Sequence, residues 1–187
     1  MHVGRTQAVP GSGPAKAEIM IVGEAPGFSE DQQGVPFVGA AGKLLDTLLG
    51  HIGLQRADVF VTNVVKCRPP QNRDPEPIEV EACLPYLRLQ FKLVRPKAVI
   101  ILGRHALARM LPGVGSISQV HGRFFMRSGV AFMPCYHPAA ALHNGSLLKD
   151  LQADFDRVRG YLAEVLAPPP PEPELAPEPA AQQLDLI

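Results

Sequence analysis

The sequence has no long hydrophobic run. Nowhere do apolar residues continue for the roughly 18 positions of a membrane-spanning helix, so no membrane partner is expected. The first residues lack the charged-then-apolar pattern of a secretory leader. A soluble chain in the cytoplasm is the expectation. Cysteine is scarce, at three in 187 residues. Without a leader, this argues against a disulfide framework and favours metal ligation or burial. Net charge is lacking too, because 18 Lys and Arg balance 18 Asp and Glu. The balance is uneven along the chain. Every basic residue precedes Gly160, whereas the acids Glu172, Glu174, Glu178 and Asp185 lie in the tail. The remainder carries a formal charge of +4, which permits nucleic-acid binding without demanding it.

What is present suits one domain with extensions. Hydrophobic residues make up 46%, enough for a sizeable core. Residues 1–17 are polar and Gly/Pro-punctuated, and read as an extended segment. Residues 18–22 read as a first strand. Leu44, Leu45, Leu48, Leu49 and Ile52 recur at helical spacing, which predicts a helix over 41–52 ended by Gly53. Asp58 to Val65 reads as a second strand, and residues 66–76 as a loop. A long helix is predicted from Pro77 to Leu93, with proline in its first turn. A strand at Ala98 to Leu102 and a short helix at Arg104 to Leu111 follow. Two short strands, Gly122–Arg127 and Val130–Met133, hinge at Ser128-Gly129. Ser146 to Leu166 reads as the last helix. Strands alternating with helices imply a three-layer α/β/α domain over 18–166 with a mainly parallel sheet. Residues 167–181 are Pro, Ala and Glu apart from Leu175, the composition of a disordered linker.

The first strand opens abruptly into Gly23-Glu24-Ala25-Pro26-Gly27, then Glu30 and Asp31, then Pro36-Phe37. Ligands of open α/β sheets bind at the carboxyl ends of the strands. Three carboxylates and an aromatic there suit something flat and polar. Asn63, near the end of the second strand, would sit beside this loop, and His137-Pro138 follows another strand. Each residue alone also has a plain structural reading. Glu24 could be a solvated turn residue, Asn63 could satisfy loop backbone, Phe37 could be a core aromatic, and a lone His is commonly structural. Their convergence on strand ends of one sheet is what points to a site. Cys67 and Cys83 flank a Pro-rich loop that could bring them together on a metal. Two thiolates cannot complete the usual four of an iron–sulfur cluster. Cys135, beside His137, reads as a packed thiol.

These motifs resemble those of the family 4, iron–sulfur uracil-DNA glycosylases. The resemblance rests on GEAPG at 23–27, PFVGAAGKLL at 36–45, TNVVKCRPPQNRDP at 62–75, Cys83, RPKAVIILG at 95–103 and HPAA at 137–140. The first motif differs from the GQDPY and GINPG types of two other families. The loop after Cys67 lacks the basic His-containing insert of the covalently DNA-linking relatives. The resemblance implies a uracil-DNA glycosylase fold and hydrolysis of the N-glycosidic bond of deoxyuridine in DNA, leaving an abasic site. It implies stacking on Phe37, reading of the base by Asn63, and His137 near O2. Glu24 or Glu30 would serve the sugar or the water, ahead of Asp31. Gly23, Ala25 and Asn72 would help enclose the base. Arg68, Arg73, Lys92 and Arg123 are candidate phosphate contacts, and Leu142 a candidate wedge into the duplex.

The resemblance also implies a 4Fe-4S cluster with Cys67 and Cys83 as two ligands and a C-x-x-C pair upstream of Arg5. Neither upstream cysteine is in this sequence. A start at an internal position is expected, with loss of the cluster as the alternative. A monomer is expected. Gln183-Leu184-Asp185-Leu186-Ile187 resembles the pentapeptide that binds the bacterial sliding clamp. A non-catalytic nucleotide- or DNA-binding scaffold remains the competing reading of the whole chain.

Overall fold

The computed structural model describes residues 4–165. Ile19-Met20-Ile21-Val22 is buried on both faces, the mark of a central parallel strand. It forms β1, Ile19–Gly23. β2 (Val59–Asn63) and β3 (Ala98–Leu102) pair with it in parallel, one on each side. β5 (Val130–Cys135) lies parallel to β3, and the short β4 (Phe125–Arg127) closes that edge antiparallel to β5. The strand order is β2-β1-β3-β5-β4.

Side chains alternate across a strand, so two cores result. On one face Ile19, Ile21, Val61, Ile100 and Met133 meet Leu45, Leu48 and Leu49 of α2 (Ala40–His51). Leu151, Phe155 and Val158 of α7 (Gly145–Val165) complete that layer. On the other face Met20, Val22, Val99 and Ile101 meet Val80, Cys83 and Leu87 of α3 (Pro77–Val94), with Ala106 and Leu107 of α4 (Arg104–Met110). Burying each large apolar side chain contributes about 1.5–3 kcal/mol. No helix among the described residues is long and apolar enough to cross a membrane.

The expected elements are present with ends shifted by a few residues. The second strand is shorter than its apolar run: a 3-10 turn takes Arg56–Asp58, and the strand stops at Asn63. Val64 and Val65 instead turn in, their N–H groups bonded to the carbonyls of Gly23 and Glu24 at 2.9 and 3.0 Å. Three short helices lie in stretches to which the sequence reading assigns no element. These are α1 (Phe28–Gln33), α5 (Ile117–Val120) and α6 (Pro138–Ala141). Each is too short for an apolar period to register. The 66–76 loop also contains a 3-10 turn, Pro70–Asn72.

The segment before β1 is extended and docked. Ser12 and Val61 exchange hydrogen bonds of 2.9 and 2.7 Å, and Val9 N–H reaches Lys66 O at 2.7 Å. It thereby covers part of the edge that β2 would otherwise expose.

Candidate active site

A cavity of about 360 Å³ opens at the carboxyl ends of β1 and β2, between α6 and the Pro70–Asn72 turn. Glu24, Ala25, Gly27, Glu30, Phe37, Asn63 and His137 are among its walls. Asn63 is 1% exposed, and its Oδ1 is buried with no hydrogen-bond partner. Such an atom costs about 1–3 kcal/mol unless a ligand completes it. A methyl group on Gly23 would lie 2.4 Å from this oxygen and 2.6 Å from Phe37 Cζ. Glycine is required there because the Asn and the ring close over it.

Phe37 is buried and holds a left-handed φ of 54°, rare for an aromatic residue. Three contacts maintain it. Glu30 Oε1 accepts the N–H groups of Val38 and Gly39 at 2.9 and 3.0 Å, and its Oε2 accepts Gly27 N–H at 3.1 Å. Arg56, anchored on Asp46, donates to Phe37 O at 2.6 Å. Gly42 admits the Phe37 carbonyl where a methyl group would lie 1.7 Å from it.

His137 stacks beside Phe37, ring centroids 5.7 Å apart. It starts α6, and its Nδ1 accepts Ala139 N–H at 3.1 Å. The accepting Nδ1 is unprotonated, so the proton of the neutral ring sits on Nε2. Burial lowers the imidazole to about 4 against the opposing pull of Glu30, so it is neutral at pH 7. Glu24 faces a small polar group, with Asp74 and His105 offering atoms within 4.8 Å of one another and of its carboxylate. Burial raises the Glu24 carboxyl, and His105 opposes the rise.

The sequence matches the uracil DNA glycosylase superfamily over residues 10–163. The chain belongs to that superfamily. It is 51% identical over 164 residues to the type-4 uracil-DNA glycosylase of Sulfurisphaera tokodaii, covering 83% of this chain and 74% of that protein. The type-4 enzyme of Saccharolobus solfataricus is 50% identical over 168 residues, covering 85% and 78% of the two chains. That of Thermotoga maritima is 39% identical over 166 residues, covering 87% and 86%.

In this uracil-DNA glycosylase-like frame the sequence-derived residues separate. Gly23, Glu24, Ala25, Glu30, Phe37, Asn63, Asn72, Arg73 and His137 surround or support the cavity. Asp31 is not among its walls. Its buried carboxylate accepts Thr6 N–H at 2.9 Å on each oxygen. Burial would raise Asp31, but hydrogen bonds from Thr6 and Gln7 outweigh it and lower its pKa. Asp31 thus ties down the N-terminal segment. Arg73 lines the rim with its guanidinium forked onto Glu79 at 2.8 Å twice, a bond that holds Glu79 down to about 2. Arg68 bonds Asn72 at 2.7 Å and lies over Phe28, 5.0 Å to the ring centroid. Arg123 is exposed beside Phe125. Lys92 lies in the last turn of α3, at the amino ends of the strands and away from the cavity. Leu142 is 45% exposed at the end of α6.

Cys67 and Cys83 share a second cavity, of about 690 Å³, between α3 and the N-terminal segment. Arg5 donates to Cys67 Sγ, and Lys66 N–H to Cys83 Sγ at 3.4 Å. Cys135 is fully buried in the opposite core, where burial raises its thiol far above the ordinary value. The described residues therefore offer this cavity two thiols of the four a cluster usually takes. They do not complete the set. Residues 183–187 lie outside the described residues.

Arg56, Asp74, His105 and Lys66 are not singled out as site residues from the sequence, although Lys66 and Asp74 lie within the 62–75 motif. Arg56 and Lys66 act on backbone carbonyls, which no side-chain motif reports. Lys66 has one faint trace: a cation in a run that is otherwise apolar, Val64-Val65-Lys66-Cys67.

Proposed function

We propose that the chain hydrolyses the N-glycosidic bond of deoxyuridine in DNA, releasing uracil and leaving an abasic site. The observation that carries this reading is the buried, unpartnered Asn63 Oδ1 between Gly23 and Phe37. Uracil offers an N3–H to that oxygen and O4 to the Asn amide. Cytosine offers the reverse order, and each mismatched buried group costs about 1–3 kcal/mol. The flipped base stacks on Phe37. As the bond to C1′ lengthens, uracil takes the electron pair and the sugar becomes cationic. His137 Nε2–H donates to O2 and stabilises the leaving anion. Water adds at C1′ and releases a proton.

Glu24 is the carboxylate assigned to the sugar and water, because Glu30 is committed to three backbone N–H groups. Glu30 is then a positioning residue for Phe37. Leu142 fills the gap left in the stack, and Arg68 meets the phosphates. The pentapeptide at 183–187 supports docking on a sliding clamp, which would raise local concentration without altering the chemistry.

Incubation with a uracil-containing duplex followed by alkali tests the reading. Strand scission at the uracil is expected, with free uracil recovered. Tight binding of the duplex with no scission would favour the non-catalytic scaffold.

A further inference from the structure

Lys66 is buried, and its ammonium points back along the chain toward the end of β2. Its Nζ lies 2.6 Å from the backbone carbonyl of Asn63, 2.7 Å from Thr62 Oγ1 and 2.7 Å from Gln90 Oε1. The roles of these atoms are fixed by their neighbours. Thr62 Oγ1 donates its proton to Pro10 O at 2.7 Å, and Gln90 Nε2 donates to the same carbonyl at 2.6 Å. Thr62 Oγ1 and Gln90 Oε1 are therefore left as acceptors, as Asn63 O is by nature. Burial lowers the Lys66 amine to about 7 against the opposing pull of Cys83, and in its protonated form three acceptors meet its three N–H donors.

The contact with Asn63 has a topological cause. β2 is the outer strand of the sheet, and among the described residues its outer side is bridged to the N-terminal segment at Val61 alone. Two residues further on, the Asn63 carbonyl has no strand to pair with, and a buried carbonyl without a partner costs about 1–3 kcal/mol. Lys66 supplies the missing donor from three positions downstream. The same residue is pinned from both sides, with its N–H on Cys83 Sγ at 3.4 Å and its carbonyl on Val9 N–H at 2.7 Å.

We propose that Lys66 is a positioning residue for uracil recognition, holding the Asn63 peptide so that its side chain meets the base. The inference rests on the base-reading role of Asn63. Lys66 lines the cysteine cavity, and Asn63 lines the base cavity. Lys66 is thus the strut between them.

A double-mutant cycle in the 187-residue chain tests this. Lys66→Met keeps the stem and deletes the donors. Single-turnover excision of uracil should slow by about 10- to 100-fold, the scale of misplacing a recognition group by about an ångström. Inhibition by free uracil, which depends on the base cavity and on no DNA contact, should weaken in parallel. In an Asn63→Ala background Lys66→Met should cost almost nothing further. An equal slowing in both backgrounds would overturn the proposal, as would a lowered melting temperature with excision and uracil inhibition unchanged. If Asn63→Ala alone leaves excision intact, the base-reading assignment fails, and this inference with it. If Lys66→Met does not fold, Lys66→Gln, shorter but with two N–H donors, runs through the same cycle; a smaller slowing that vanishes in the Asn63→Ala background is expected, and an equal slowing in both backgrounds would overturn the proposal.

Discussion

The base cavity and the cysteine cavity adjoin the same end of β2, yet their walls differ in kind. In the base cavity the polar groups are fixed by neighbours. Glu30 is held by three backbone N–H groups, His137 by Ala139, and the Phe37 carbonyl by Arg56. One buried atom, Asn63 Oδ1, is left open. The cysteine cavity is nearly twice as large and bordered by Ile78, Tyr86, Leu89 and Leu93, all of them exposed on α3. Its distinctive groups are two thiols. An unpaired polar atom in a fixed frame specifies the shape and sign of its ligand. Apolar walls and soft ligands specify much less. That is why the first cavity argues for a particular base, whereas the second argues only for a thiolate-bound group.

The largest effect should come from breaking the frame at the base. Asn63→Ala should lower single-turnover excision of uracil by about 100- to 1,000-fold, the usual scale for a lost donor or acceptor at a reacting group. Gly23→Ala should come close to it, because the new methyl group displaces both Asn63 and Phe37. Burst measurements on a uracil-containing oligonucleotide decide both. Retained excision in Gly23→Ala would show that the base does not lie over that glycine.

His137 sharpens the comparison through pH. Its imidazole titrates near 4 in the folded chain, against about 6.5 in an unfolded one. Between those values the unfolded chain takes up a proton that the folded chain refuses. Stability from this group is therefore full above about pH 6.5 and is lost as pH falls toward 4, by up to about 1.4 kcal/mol per unit. Protonation also destroys the Nδ1 lone pair that accepts Ala139 N–H. Excision should stay insensitive to this group down to about pH 5. Melting temperatures from pH 7 to 4.5 should fall less steeply in His137→Gln than in the parent. An acid limb of excision near 6.5 that vanishes in this variant would contradict the half-buried, neutral ring.

Glu30→Gln should have a smaller effect. The amide oxygen can still accept from Val38 and Gly39, but the amide nitrogen then faces Gly27 N–H. A loss of about 1–3 kcal/mol in stability is expected from that buried mismatch, with excision down about 10-fold through a displaced Phe37. Loss of all chemistry with unchanged stability would instead make Glu30 the residue that handles the water.

The layer order, the parallel sheet and the convergence on strand ends were legible in the sequence. They follow from apolar periodicity and from Gly and Pro at the turns. The individual roles were less so. Asp31 and Glu30 stand adjacent in one acidic pair, yet one helical position turns Asp31 onto Thr6 and Glu30 beneath Phe37. Arg73 reads as a phosphate ligand, and its fork onto Glu79 is a partner the sequence does not announce. Such outcomes depend on which way a short helix faces, and α1 is too short to show an apolar period. Arg56 and Lys66 escaped notice because the contacts that tie them to the site are to backbone carbonyls, which every residue carries.

The smallest effect on the chemistry is expected at the cysteine pair. Cys67→Ser with Cys83→Ser preserves size and leaves a hydroxyl able to accept Lys66 N–H. Neither sulfur borders the base cavity. Excision per folded molecule should therefore stay within about threefold of the parent, well under 1 kcal/mol of barrier. The change should appear instead as loss of any thiolate-bound iron or zinc, measured as metal per chain, and as a lower melting temperature if metal is bound. A fall in excision beyond about tenfold, with the melting temperature unchanged, would mean that the thiols reach the base. Lys66 is the residue through which they would do so, since its N–H meets Cys83 Sγ and its ammonium meets the Asn63 carbonyl. That result would join the two cavities into one functional unit and remove the contrast between them.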